Sequence, residues 1–153
     1  MQSLITKIIS GGQTGVDRAA LDVAIALKIL HGGWCPKGRI AEDGVIPACY
    51  NLEETPGSDY AQRTAWNVRD ADGTLILTKK PITGGTLLTL KLAKQLKKPY
   101  LVFDLFAAQS IDAIIIWLKK HNIKILNVAG PRASQVDGIY DLACVVLKLI
   151  IFR

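Results

Sequence analysis

Three glycines lie within five positions directly after the first apolar segment, in the stretch Ser10-Gly-Gly-Gln-Thr-Gly-Val-Asp-Arg18. A helical pattern begins at Val16, so this stretch is predicted to join a strand to a helix. Glycines leave backbone N–H groups uncovered, and a helix N-terminus adds unpaired N–H groups and roughly half a positive charge. Such a turn can bind a phosphate or a similar anion. The spacing matches neither the dinucleotide fingerprint nor the P-loop, so these glycines alone could equally be structural.

A second glycine turn, Thr83-Gly84-Gly85-Thr86, follows another buried apolar segment and opens another helix. A third polar turn, residues 129–134, follows the last predicted strand and contains Arg132. In parallel sheets, ligands bind beyond the carboxyl ends of the strands, where the strand order reverses. If the strands before Gly11 and after Gly73 are neighbours, the two glycine turns face one crevice. Two such turns indicate an anion site more strongly than one.

The elements that must position these turns alternate between strand and helix. Strands are predicted at Leu4–Ser10, His31–Cys35, Tyr50–Leu52, Gly73–Thr78, Tyr100–Phe103 and Ile123–Val128. Helices are predicted at Val16–Leu30, at Asp59–Asp70 with Ser58 as its cap, from Thr83 to Lys98, from Ser110 to Lys120, and from Asp137 to Ile151. The last helix is apolar nearly all round, which predicts either a sandwiched helix or a subunit interface, and a strand at Cys144–Phe152 stays open. This alternation predicts an α/β fold with a mainly parallel sheet covered on both faces.

The segment from Pro36 to Gly57 is long, irregular and rich in charged residues. A loop of this length inside a compact domain is often functional, and we expect it to cover a ligand. Its Lys37 and Arg39 could supply charge-assisted hydrogen bonds to an anion.

Length, composition and charge limit the number of domains and the classes of partner that this chain can have. A chain of 153 residues, half of them apolar, predicts one domain over residues 1–153. Nothing resembles a signal peptide or a membrane span, so we expect a cytoplasmic protein with no membrane partner.

The net charge of +6 favours an anionic partner. Lysine pairs fall mostly at the ends of elements, and no basic stripe alternates with aromatic residues, so a nucleic-acid surface is not indicated. The three cysteines and two histidines match no metal pattern.

Several motifs in a fixed order resemble the putative molybdenum carrier family. They are Gly11–Arg18, Gly33–Arg39, Ala41–Gly44, Glu54-Thr55-Pro56, Tyr60, Arg63-Thr64, Asn67-Val68, Asp72-Gly73-Thr74, Thr83–Thr86 and Gly130-Pro131-Arg132. Except for the last of these, the resemblance covers about Ile8 to Asp104. It implies a three-layer, doubly wound, Rossmann-like sheet of strand order 3-2-1-4-5-6, and a homo-oligomer. It also implies that the ligand is the molybdenum cofactor, a pterin (molybdopterin) carrying a phosphate and an oxo-molybdenum group, held as cargo.

The residues that could hold this small anionic ligand come from the motifs. Backbone and hydroxyl donors would bind the phosphate, basic side chains would add charge, Trp34 would stack on the ring system, and Asp17 would bind a ring N–H group. The full candidate set is Gly11, Gly12, Gln13, Thr14, Gly15, Asp17, Arg18, Trp34, Lys37, Arg39, Thr83, Gly84, Gly85, Thr86 and Arg132. No catalytic or metal-ligating residue is assigned.

Two other functions stay open. The wider superfamily also resembles lysine-decarboxylase-like phosphoribohydrolases, whose Gly-x-Gly-Thr-x-x-Glu motif carries a catalytic Glu. Thr89 stands where that Glu would fall, and a hydroxyl cannot act as the carboxylate, which favours a binding protein over an enzyme. The alternative is an enzyme or sensor for a nucleotide or ribosyl phosphate, with Glu42, Asp43 and Asp17 as acids or bases. A third hypothesis is an interaction module whose glycine turns are only structural.

Overall fold

A computed structural model of the chain describes residues 3–152. Its strands are β1 (Lys7–Ile9), β2 (Leu30–Gly32), β3 (Trp34–Cys35), β4 (Ile40–Ala41), β5 (Gly44–Val45), β6 (Glu53–Glu54), β7 (Gly73–Thr78), β8 (Tyr100–Asp104) and β9 (Ile125–Ala129). Its helices are α1 (Val16–Ala26), α2 (Tyr60–Asp70), α3 (Gly84–Gln95), α4 (Asp112–Lys120) and α5 (Ile139–Ile151). Within this range, no helix is long and apolar enough to cross a membrane.

The main sheet is parallel, with the order β2-β1-β9-β7-β8. The predicted α/β, Rossmann-like arrangement is confirmed, but the predicted order 3-2-1-4-5-6 is wrong. The last strand, β9, lies between β1 and β7 instead of at the edge. An apolar run shows that a strand is buried on both faces, but it does not show which strands are its neighbours. The predicted third strand lies slightly later, at Glu53–Glu54, and pairs with β3 beyond the end of β2.

The right-handedness of β–α–β crossover connections places the helices in two layers, one on each face of the sheet. The crossover β1–α1–β2 runs to one side of the sheet centre, and β7–α3–β8 runs to the other. Both crossovers are right-handed only if α1 and α3 lie on opposite faces. The main core joins α1, α4 and α5 to the buried residues of β1, β7 and β9 on one face. The other layer pairs α2 with α3.

Several predicted boundaries shift for local reasons. Helix α1 ends before Leu30 because Lys28 takes a left-handed φ of 57°. The cap of α2 is Asp59, whose carboxylate accepts the Ala61 N–H (2.9 Å), and not Ser58. The strand alternative at the C-terminus is wrong, because α5 continues to Ile151.

The position of β9 can be tested by amide hydrogen exchange measured by NMR. Leu126 and Asn127 lie opposite residues of both β1 and β7. Successive N–H groups of a strand point to opposite sides, so both amides are bonded only in an interior strand. We expect both to exchange as slowly as the amides of β7. Rapid exchange at one of the two would place β9 at the sheet edge and contradict this topology.

Candidate functional site

The carboxyl ends of β1, β9 and β7 open onto a crevice of about 260 Å³ between α2 and α3. Both glycine turns reach it, although β9 separates the strands that carry them. The residues 127–130 of β9 and its following turn line the crevice between the two glycine turns. The crevice brings together seven of the predicted site residues, which are Gly11, Gln13, Asp17, Gly84, Gly85, Thr86 and Arg132.

The N-terminus of α3 is the open end of this crevice. Among residues 3–152, the N–H groups of Gly84, Gly85 and Thr86 have no hydrogen-bond acceptor, and the side chain of the cap residue Thr83 does not bond to them. Gly84 has a left-handed φ of 56°, which a residue with a side chain rarely adopts. A Cβ atom on Gly85 would meet nothing within 4 Å. Unpaired donors, the positive end of the helix and open space therefore coincide here.

The first glycine turn is different, because four of its N–H groups are already bonded inside the protein, whereas those of Gly11 and Gly15 have no acceptor within residues 3–152. The bonds are Gly12 N–H to Ser10 Oγ (3.3 Å), Gln13 N–H to Asp17 Oδ2 (3.3 Å), Thr14 N–H to Gln13 Oε1 (3.0 Å) and Val16 N–H to Pro131 O (3.2 Å).

The glycines of this first turn also serve close packing. A Cβ atom on Gly12 would lie 2.6 Å from Leu52 Cδ1, and one on Gly15 would lie 2.4 Å from the Pro131 carbonyl oxygen. Both distances are shorter than real Cβ contacts, so these two positions need glycine for packing rather than for ligand access.

The β4–β5 hairpin of the long loop fastens over this first turn. The Arg18 guanidinium donates to both carboxylate oxygens of Asp43 (3.0 and 3.1 Å) and to the Gly12 carbonyl. Glu42 accepts hydrogen bonds from Thr14 Oγ1 and from Ser134 Oγ (2.5 Å). The hydrogen bonds from Ser134 and Thr14 lower the pKa of Glu42, and the bond from Arg18 lowers the pKa of Asp43.

The loop thus covers the first glycine turn. Within the described part of the chain, none of its residues from 36 to 57 lines the crevice.

A buried ion pair forms one wall of the crevice. Arg63 of α2 donates to Asp17 Oδ2 (3.2 Å), and both side chains are nearly buried. Its guanidinium packs on Gly11, where a Cβ atom would lie 1.8 Å from Arg63 Nη1. Burial raises the pKa of Asp17 to about 6, against the opposing charge of Arg63. The Nε atom of Arg63 is buried and has no partner within residues 3–152.

Sequence reasoning missed the contribution of α2 to this site. Tyr60, Arg63, Thr64 and Asn67 all line the crevice. They recur at the i, i+3, i+4, i+7 spacing of one helix face. A polar stripe on the side of a helix that faces the sheet is the signal that could have found them.

Eight predicted site residues do not line the crevice, and these are Gly12, Thr14, Gly15, Arg18, Trp34, Lys37, Arg39 and Thr83. Trp34 packs edge-to-face on Trp66, with ring centroids 4.7 Å apart, and its Nε1 donates to Asp70 (2.8 Å). Lys37 is exposed on the loop. The Arg39 guanidinium donates to four backbone carbonyls of its own loop, those of Ile46, Pro47, Tyr50 and Leu52.

Within residues 3–152, no group of three or more His, Cys, Asp or Glu side chains could hold a metal ion. The thiols of Cys35, Cys49 and Cys144 are free, and none of them lines the crevice described here.

Comparison with known proteins agrees with this architecture. A crystal structure of a putative molybdenum carrier protein from Syntrophus aciditrophicus SB superposes with a TM-score of 0.92 and 48% sequence identity, over 99% of this chain and 98% of that one. No curated protein matches the chain. The sequence model of the circularly permutated YpsA SLOG family matches residues 8–151. The resemblance to putative molybdenum carriers is therefore confirmed, and the chain belongs to the circularly permutated YpsA SLOG family.

Proposed function

We propose that the crevice binds a phosphate-containing small molecule, with its phosphate against the N-terminus of α3. We further propose that the protein is a cytoplasmic carrier or storage protein for the molybdenum cofactor. The observation that carries the proposal is the set of unpartnered N–H groups of Gly84, Gly85 and Thr86. The first N–H groups of a helix have no intrahelical acceptor, so a helix end that nothing in the described chain caps and that faces a crevice suits an anion.

The magnitudes favour directed hydrogen bonds over diffuse charge. A hydrogen bond to a charged group contributes roughly 1.5–3 kcal/mol, whereas the helix dipole contributes roughly 0.3–1 kcal/mol. Three amides that point at one phosphate therefore dominate its binding and fix its position. Arg132 lines the crevice, and its side chain is only half-buried. It can add a charge-assisted bond, since its contact with Glu42 is long (Nε–Oε1 3.5 Å).

The rest of the crevice suits a partly planar molecule. Leu88, Val128 and Ala129 give it an apolar wall, and the exposed ring of Tyr60 stands at its side. Arg63 lies 5.3 Å from the centre of that ring. Tyr60, rather than Trp34, is therefore the aromatic residue positioned to contact a pterin. The Asp17 carboxylate, also on the crevice, can accept an N–H group of such a ring.

The identity of the cargo can be tested by mass spectrometry and metal analysis. The protein should be purified from a host that makes the molybdenum cofactor, and the released molecules analysed after denaturation. We expect a pterin phosphate together with stoichiometric molybdenum. A nucleotide without molybdenum would contradict the carrier function while keeping the phosphate site, and a protein without any ligand would leave the cargo unsupported.

The phosphate site can be tested with Gly85→Asp. A carboxylate there occupies the open space before α3 and uses the amides itself, so the fold should be unchanged. At about 4 Å, two like charges repel by roughly 1–4 kcal/mol, which predicts about tenfold or greater loss of affinity. Isothermal titration calorimetry with a pterin phosphate measures this.

The matched control for that variant is Ala113→Asp, which adds the same charge in the exposed first turn of α4. It should bind like the unmodified protein. Equal affinity of the Gly85→Asp and Ala113→Asp variants for the pterin phosphate would show that the N-terminus of α3 is not part of the binding site.

A second candidate function, catalysis on a nucleotide or ribosyl phosphate, is favoured by one observation. Asp17 lines the crevice with a pKa of about 6, which suits a general acid or base near neutral pH. Glu42 and Asp43 are excluded from this role because the hairpin holds them outside the crevice. The crevice also contains Thr89, whose hydroxyl donates to the Gly85 carbonyl (3.0 Å). Hydrolysis of a nucleoside monophosphate that is lost in Asp17→Asn would favour this function over the carrier.

Burial of Asp17 also predicts how stability depends on pH. Its folded pKa of about 6 lies above the ordinary value of 3.8, so the native state binds more protons between these values. The free energy of unfolding should therefore contain a contribution that is complete below pH 4 and lost as the pH rises through 6. Asp17→Asn should remove it, which urea unfolding from pH 4 to 8 would show. Parallel pH profiles for both proteins would contradict the raised pKa.

A further inference from the structure

Helix α5 has two apolar faces, and only one of them is covered. Ile139, Ala143, Leu147 and Ile150 are buried in the core. On the opposite side, Leu142, Val145, Leu149 and Phe152 are 36%, 56%, 46% and 68% exposed. This exposed stripe explains why the sequence is apolar nearly all round the helix. The helix is not sandwiched within this chain, so its outer face needs another partner.

The stripe has the spacing of a coiled-coil seam. Its members recur at i, i+3, i+7 and i+10, which are the a and d positions of two heptads. In that register Asp141 and Lys148 both take the g position, which flanks the seam. Neither residue forms an ion pair within the described range 3–152. Charges at flanking positions select the partner helix and its direction.

We propose that α5 packs against α5 of a second copy of this chain, antiparallel and across a two-fold axis at Val145. A two-fold axis makes each surface meet the same surface of the other copy in reverse. Asp141 then lies beside Lys148 of the partner subunit, and Leu142 lies beside Leu149 of the partner subunit. Val145 lies between these pairs, at the axis, and contacts Val145 of the partner subunit.

The charges favour the antiparallel arrangement over the parallel one. In a parallel pair the g position faces the e position of the partner, so Asp141 would face Val146 and gain no ion pair. They also argue against a membrane surface, where the polar flank of an amphipathic helix is rich in lysine and arginine. Here that flank carries one acid and one base. A self-complementary pattern of this kind fits a second copy.

The interface can be tested by sedimentation equilibrium. The unmodified protein should have twice the chain mass of 16.6 kDa. Val145→Glu places two like charges at the axis and should weaken the dimer by about a hundredfold or more. The control is Ile116→Glu, at a 65% exposed site on α4, which should stay dimeric. A monomeric unmodified protein, or a dimeric Val145→Glu variant, would overturn the proposal.

The direction of the helices has its own test. Asp141→Lys and Lys148→Asp should each weaken the dimer about tenfold, because each places like charges together. The double variant should restore the original affinity, since it exchanges the two ends of the same ion pair. Failure of the double variant to recover would overturn the antiparallel arrangement.

Cross-linking checks the axis independently of charge. In a Cys49→Ser background, Val145→Cys should form a disulfide between copies on oxidation, because only a residue at the axis comes within disulfide distance of itself. Leu142→Cys should not. Efficient cross-linking through position 142 instead of 145 would contradict the proposed axis.

Discussion

β9 lies between β1 and β7, and its following turn packs directly on the first glycine turn. The Pro131 carbonyl accepts the first N–H group of α1, and its oxygen leaves no room for a side chain at Gly15. This close packing seals one helix N-terminus inside the protein. The N-terminus of α3, which follows β7 on the other side of β9, has no such neighbour and stays open. The strand order thus determines which of two similar glycine turns is covered by protein and which keeps its helix N-terminus open to the crevice.

The contacts that cover the first glycine turn also fix the side of the crevice that faces the N-terminus of α3. Arg18 and Asp43 join the hairpin to α1, and Glu42 joins it to the turn after β9, so three segments meet over the first glycine turn. Exposed ion pairs contribute only about 0–1 kcal/mol each, so the close contacts of Gly12 with Leu52 and of Gly15 with Pro131 are the stronger constraint. The ion pair between Asp17 and Arg63 connects this rigid region to the wall of the crevice. Their buried pair holds α2 at a fixed distance from α1.

The sequence was sufficient to predict the fold class and the alternation of elements, and it singled out the two glycine turns. These follow from periodicity and from glycine position, which are local properties. The strand order was not predictable in this way, because pairing depends on contacts between distant segments. For the same reason the glycines at 12 and 15 looked like ligand contacts, although their neighbours are protein atoms. Arg39 shows the limit most clearly: its type indicates anion binding, but four nearby carbonyls satisfy its guanidinium. Arg63 shows the converse, since its role depends on a helix face that only the tertiary structure turns toward the crevice.

The most direct test of this account is an NMR titration of the isotopically labelled protein with a pterin phosphate. Amide signals report each backbone donor separately, so the two glycine turns can be distinguished in one experiment. We predict that the signals of Gly84, Gly85 and Thr86 move together and saturate, while those of Gly12 and Thr14 stay in place. Movement of the first-turn signals without those of α3 would contradict the account.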